Sequence, residues 1–423
     1  MEQVQQLENM IMNGNLQAIE QKVEQLTTST EFDTIYDSAT LLMEYGLVPQ
    51  ADQLYDVLLA HMPDAGQLKI DRAEAMMALG REDEALLLLT DIDSEEEEYL
   101  QALLMLADYY QTIGMAEVAL SKIDEASELA PEEPVIRFAK AELLLESGKY
   151  SEAVRLYLQL RERGLDEVGG ISLESRIAEA YSAGAAYEEA VPYYEALLKQ
   201  GSVLPDTLFG AAYSQYQSGN PQPALSHLNQ LIDMDPDYFS AYMLAGQASL
   251  LMDENEEALS FFTEGIRRDE FDKELHLAAG KVALKLGRPE DAGRYLGDAL
   301  ALDPEYVEAR ISLASLFEQR KQYENLLELL QDTPEEQLEI PLLAAFKAYA
   351  QENLERYAEA YDSYVLAYTG MKEDPEFLER YAKFLLEEGK RSEAVNIVKE
   401  LVTLVPDHPE WTSFLEDQEE EEA

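Results

Sequence analysis

Cysteine is missing from all 423 residues. That excludes disulfides, thiolate nucleophiles and cysteine-ligated zinc together, and it fits a reducing compartment. Histidine is scarce: His61, His227, His276 and His408 stand alone, with no acidic or histidine partner at a ligand spacing such as H-E-x-x-H, so they read as loop or packing residues. No apolar run reaches the length of about 18 residues that a membrane-spanning helix needs. The stretch Met1–Glu20 carries Glu2, Glu8 and Glu20 where a secretion signal would place basic and apolar blocks. G-x-S-x-G and G-x-G-x-x-G are both absent, and Gly148-Lys149 and Gly389-Lys390 lack the first glycine and the following Ser/Thr of a phosphate loop. No catalytic constellation emerges, so neither enzyme activity, cofactor nor metal is expected.

Basic residues are the other shortage. Lys and Arg number 31 against 86 Asp and Glu, a formal net charge of -55. Such a surface repels nucleic-acid phosphates and anionic headgroups and attracts basic or amphipathic segments of other proteins. The expectation is a cytoplasmic protein whose partners are proteins or peptides, with no nucleic acid and no membrane insertion. Asp91–Glu98 and Glu416–Glu422 are acidic runs that read as a solvated loop and a frayed tail.

Against these shortages stand 47% hydrophobic and 9% aromatic residues, enough for a packed interior. A chain of this length ordinarily splits into domains, because a single core stops growing near about 250–300 residues; an internal repeat escapes that limit. Segments fall into register at a period of 34, opening at Phe32, Gly66, Leu100, Pro134, Ile171, Pro205, Phe239, Lys273, Val307, Pro341 and Pro375, with one slip of three residues before Ile171. The eighth residue of every frame is alanine or glycine, from Ala39 to Ala382, and the twentieth is alanine except at Leu326. A turn glycine usually lies between them, as at Gly46, Gly80 and Gly219, and the twenty-fourth residue is large, as at Tyr55, Tyr157, Phe262 and Tyr364.

This pattern has one physical reading. Two helices joined by a Gly-assisted turn approach closely where one side chain on each is small, and the large residue fills the space beside them. Prolines such as Pro63, Pro131 and Pro236 stop the second helix. No strand pattern competes, and a single hairpin cannot bury its own apolar face, so stability is expected to come from stacking along the array.

Period and motif resemble the tetratricopeptide repeat over Phe32 to about Asp407, with small residues recurring in phase through eleven units. The resemblance implies an all-α, right-handed α-solenoid superhelix of antiparallel helix hairpins. Residues 1–31 are expected to form an atypical capping hairpin, 32–170 and 171–408 the N- and C-terminal repeats, and 409–423 a capping helix with an acidic tail, Trp411 covering the last hairpin. The slip around Gly169-Gly170 is expected to act as a hinge. The hairpin from Val307, with Leu326 for alanine and Lys321 for the turn glycine, is expected to be looser.

The resemblance also implies that positions 2, 5, 9 and 12 of each first helix face a concave groove. Carried over, these give an apolar strip that includes Tyr36, Ile70, Leu104, Phe138, Phe209, Tyr213, Tyr216 and Met243. Beside it, Glu74, Asp108, Glu142 and Glu179 set one carboxylate per hairpin, a ladder suited to an amphipathic or basic segment. The alternative is that apolar positions are core and the carboxylates a solvated face. Members that clamp a chaperone's carboxylate tail use basic groove residues of consecutive units, whereas here Lys281 and Lys383 are the only basic ninth positions and lie far apart in the array. Two functions are therefore carried: a non-catalytic scaffold or assembly factor that binds a partner in the groove, and a peptide-responsive regulator that switches partners.

Overall fold

The computed structural model describes residues 2–331, 333, 337 and 339–422, with side chains up to Gln418. The acidic side chains at 419–422 and Ala423 lie outside the described residues. Among the described residues, helices of 9 to 14 residues follow one another, interrupted by a two-stranded ribbon. They form two compact units, Met1–Ser202 and Val203–Ala423.

In the N-terminal unit, the helix pair Glu2–Met12 and Leu16–Thr27 precedes five hairpins that open with the helices Phe32–Glu44, Gly66–Ala78, Tyr99–Thr112, Pro134–Glu146 and Leu173–Ala183. Leu7, Ile19, Val23 and Leu26 of the leading pair pack against Ile35, Ala39 and Leu54 of the first hairpin. The pair thus covers an apolar end that would otherwise face water. The C-terminal unit holds six hairpins, opening with Pro205–Gln217, Phe239–Leu251, Lys273–Lys285, Val307–Gln319, Pro341–Asn353 and Pro375–Glu387. The helix Pro409–Glu422 follows the last hairpin. It keeps the repeat frame, so Trp411 is buried among Ala382, Phe384 and Val398, while Glu416, at the eighth position, is exposed.

Small meets large at each crossing. Ala39, Ala73, Ala141, Ala212 and Ala348 at the eighth position, and Tyr157, Leu228, Phe262 and Tyr364 at the twenty-fourth, are fully buried. Where glycine replaces alanine the large residue comes closer still. A Cβ on Gly246 would lie 2.2 Å from Phe262 Cε1, and one on Gly280 2.7 Å from Leu296 Cγ.

The turn inside each hairpin needs one residue in the left-handed region. Glycine supplies it at Gly46 (φ 73°) and six further hairpins, but Ala185, Asp253, Lys321 and Glu355 adopt it too, at φ 56–60°. The turn at Lys321 closes through Gln322 N–H to Phe317 O at 2.8 Å, as Leu47 N–H closes to Leu42 O at 2.8 Å. The hairpin from Val307 is therefore turned like the others, and its Leu326 is fully buried.

The fourth position ties hairpin to hairpin. Arg137, Tyr242, His276 and Arg310 each donate to the carbonyl six residues earlier, at Pro131, Pro236, Glu270 and Pro304. These side chains satisfy backbone left open where the preceding helix ends. The slip before Ile171 departs from expectation: Glu167–Val168 and Ile171–Ser172 pair as an antiparallel ribbon. Gly169 and Gly170, at φ 58° and 80°, make its two-residue turn. Val168 is buried in the core with Ile136 and Leu173, so the extra residues are anchored rather than slack.

Candidate partner-binding face

The first helix of each hairpin carries the positions at which a partner was expected, and the structure sorts them into three kinds. Ile70 and Phe138 are core, 1% and 8% exposed. Ile70 packs with Leu89 and Ile92, and Phe138 lies 5.8 Å from the Tyr157 ring. Both are buried by neighbouring helices, which corrects their assignment to the strip. In the N-terminal unit Tyr36 and Leu104 remain half-buried. Tyr36 meets the Tyr55 ring edge-on at 6.4 Å, and burial, then Asp71, raises its hydroxyl above the usual tyrosine range.

The carboxylates divide as well. Glu74 and Asp108 are exposed, and no cation among the described residues lies within ion-pair distance of either. Glu142 and Glu179 instead share Arg176, whose guanidinium reaches them at 3.0 and 2.7 Å. The Tyr157 hydroxyl also donates to Glu142. Burial, reinforced by that carboxylate, pushes the Tyr157 hydroxyl far up. This half of the ladder is an internal staple between adjacent hairpins, not a row of free charges. The C-terminal unit repeats the device: Arg380 reaches Glu318 at 2.9 Å and Glu352 at 3.4 Å, and the Tyr364 hydroxyl donates to Glu352 at 2.6 Å. Arg176 and Arg380 both stand sixth in their hairpins, a spacing that sequence reading could have found.

Phe209, Tyr213, Tyr216 and Met243 are all half-buried and belong to the first two hairpins of the C-terminal unit. Phe209 stacks on Tyr213 at 6.3 Å and meets Tyr238 at 5.2 Å. The helices that carry these residues, Pro205–Gln217 and Phe239–Leu251, are thirteen residues each and contain one charged side chain, Asp206. In a chain that is 28% charged this is a marked local depletion. Leu251 is 58% exposed at the end of the second. Tyr238 was missed because it lies just ahead of the frame that opens at Phe239; its hydroxyl donates to Asp206 Oδ1 at 3.2 Å.

Elsewhere, a cavity of about 440 Å³ lies beside the helix Tyr150–Glu162, lined by Tyr150, Val154, Leu158 and Tyr181. Among the described residues no three His, Cys, Asp or Glu side chains converge as a metal site, and no helix is long and apolar enough to cross a membrane.

Comparison with known proteins places this geometry in a family. Residues 111–165 match the model described as YpiA-like, tetratricopeptide repeats, and residues 341–408 match YpiA-like, C-terminal tetratricopeptide repeats. A general tetratricopeptide-repeat model matches 209–273 and 277–333. The chain is 36% identical over 367 residues to the TPR repeat-containing protein YpiA of Bacillus subtilis (strain 168), covering 87% of this chain and 86% of that one. It is 22% identical over 256 residues to a DnaJ homolog subfamily C member 7 homolog of Schizosaccharomyces pombe, covering 53% and 54%. Similar solved structures include the C-terminal part of a TPR repeat-containing protein from Cytophaga hutchinsonii, with TM-score 0.46, 14% identity, and 65% of this chain and 98% of that one covered. Another is the APC/C hetero-tetramer Cut9-Hcn1, with TM-score 0.36, 12% identity, and 97% and 94% covered. With repeats in phase along its length and 36% identity to YpiA over 367 residues, the chain belongs to the YpiA-like tetratricopeptide-repeat family.

Proposed function

We propose that the protein is a non-catalytic scaffold or assembly factor of the cytoplasm that holds a partner polypeptide against the first-helix face of its hairpins. Membership of a family of protein-interaction repeats supports the general reading. The observation that carries the location is the pair of helices Pro205–Gln217 and Phe239–Leu251. They bear one charge between them, yet leave Phe209, Tyr213, Tyr216 and Met243 partly open to solvent. An apolar face kept within so acidic a surface suits the apolar side of a partner segment, and the surrounding carboxylates suit its basic residues.

The test is affinity capture from a bacterial lysate with the full chain, compared with Phe209→Glu plus Met243→Glu. Both positions are half-buried, so circular dichroism of the variant should accompany the capture; Phe138, being core, is unsuited to this purpose. Loss of a specific prey in the variant is expected. Unchanged recovery would refute the location.

A further inference from the structure

We propose that the loop Asp235–Phe239 is a receptor for a lysine side chain of the partner segment that lies on the adjacent aromatic face. This rests on the scaffold reading above and names what that face recognises.

The chain contains its own example of the site. Two periods downstream, Asp303-Pro304-Glu305-Tyr306 closes another hairpin. There Asp303 Oδ1 accepts the Glu305 N–H at 2.9 Å, which leaves Oδ2 to receive Lys273 Nζ at 2.6 Å. The same ammonium lies 5.0 Å from the centroid of the Tyr306 ring. One loop thus offers a carboxylate oxygen and an aromatic ring to one lysine.

Asp235-Pro236-Asp237-Tyr238 repeats this loop in sequence and in geometry. Asp235 Oδ1 accepts the Asp237 N–H at 3.2 Å, the same internal bond. The position that matches Lys273 is Pro205, which has no charge to offer. Among the described residues no cation is paired with Asp235; Arg268 faces Asp237 instead, at 3.8 Å. No Lys or Arg occurs between Lys199 and Arg267. The Tyr238 hydroxyl is held by Asp206, which adds a second carboxylate at the ring, and Phe209 abuts it at 5.2 Å. Phe239, which ends the loop, is 41% exposed.

The bonding pattern selects lysine over arginine. A guanidinium binds best when both carboxylate oxygens accept from its fork, and here Oδ1 is already engaged by the loop. An ammonium needs one oxygen and gains from a ring nearby.

The test uses the full chain and a labelled amphipathic helical peptide with a leucine face and lysines opposite, read by fluorescence anisotropy. Pro205→Lys would fill the site from within, as Lys273 fills its own. Proline at the first helical position is readily replaced, so Pro205→Ser serves as the control for folding. Pro205→Lys is expected to weaken peptide binding at least about tenfold relative to Pro205→Ser. Asp235→Asn should weaken it similarly, and a glutamine-for-lysine peptide should bind poorly to every form. The proposal is overturned if Pro205→Lys and Pro205→Ser bind alike, if the glutamine peptide binds as well as the lysine peptide, or if the lysine peptide does not bind. A lysate prey that is lost with Phe209→Glu plus Met243→Glu but retained with Pro205→Lys would leave the face standing and remove the lysine receptor.

Discussion

Gly246→Ala probes the packing rule on which the whole array depends. Nine of the eleven hairpins have alanine at this position, so the change looks like a return to type. The geometry says otherwise: the new Cβ would lie 2.2 Å from Phe262 Cε1 and 2.5 Å from Cζ, where carbons normally rest about 3.5–4.0 Å apart. Phe262 is fully buried, so its ring has nowhere to retreat. Overpacking of this kind costs about 1–3 kcal/mol, and the better helix propensity of alanine returns about 1 kcal/mol. A net loss of about 0–2 kcal/mol is expected, toward the upper end because the clash is with a buried ring. Gly246→Ala combined with Phe262→Leu should recover most of it, because alanine and leucine occupy these same two places, both fully buried, at Ala212 and Leu228. Urea unfolding followed by circular dichroism measures the loss, and amide exchange over Phe239–Arg268 localises it. If Gly246→Ala instead gains the bare propensity term, or shows no coupling to Phe262→Leu, the small-against-large account is wrong.

Other consequences follow from the turns, the tyrosines and the arginine staples. Lys321→Gly and Glu355→Gly should each raise stability by about 0.5–1 kcal/mol in urea unfolding, since relief of left-handed strain exceeds the entropy glycine adds to the unfolded chain. Asp253→Gly should gain less than these, because it also gives up the Lys285 ion pair at 2.8 Å. Burial pushes the Tyr55 and Tyr194 hydroxyls up to about 12 from 10.0. Their contribution is therefore complete below pH 10 and is lost as pH rises toward 12, on the order of 2–3 kcal/mol each. Circular dichroism and tyrosinate absorbance should then change together over that alkaline range, and tyrosine ionisation complete before unfolding would contradict it. Arg176→Met strips Glu142 and Glu179 of their shared cation and should cost about 1–3 kcal/mol, a figure discounted for partial exposure. Adding Glu142→Gln should restore part of the loss, which a thermal melt of the single and double variants would detect.

Much of this was legible in advance. The small residues at positions eight and twenty and the large one at twenty-four are buried where the period put them. Other features were not. Lys321 shows that a left-handed turn can form without glycine when the surrounding bonds fix it, so the missing glycine did not cost this hairpin its turn. The three-residue slip read as slack because two-residue strands leave no alternating pattern; only the pairing of Val168 with Ile171 and the burial of Val168 reveal an anchored ribbon. The carboxylate ladder looked uniform because Arg176, on Glu179's own helix, reaches Glu142 only across the packing of adjoining hairpins.

The sequence by itself determined the hairpin, because each contact inside it joins residues a fixed number of positions apart, and steric fit between them leaves a periodic trace. Tertiary structure alone decided which first-helix positions meet water and which charges are already paired. Ile70 and Phe209 occupy the same place in the repeat, yet one is core and the other half-exposed. Exposure at that place depends on the side chains that the neighbouring hairpins bring against it, a quantity that the residue's own position in the repeat does not encode.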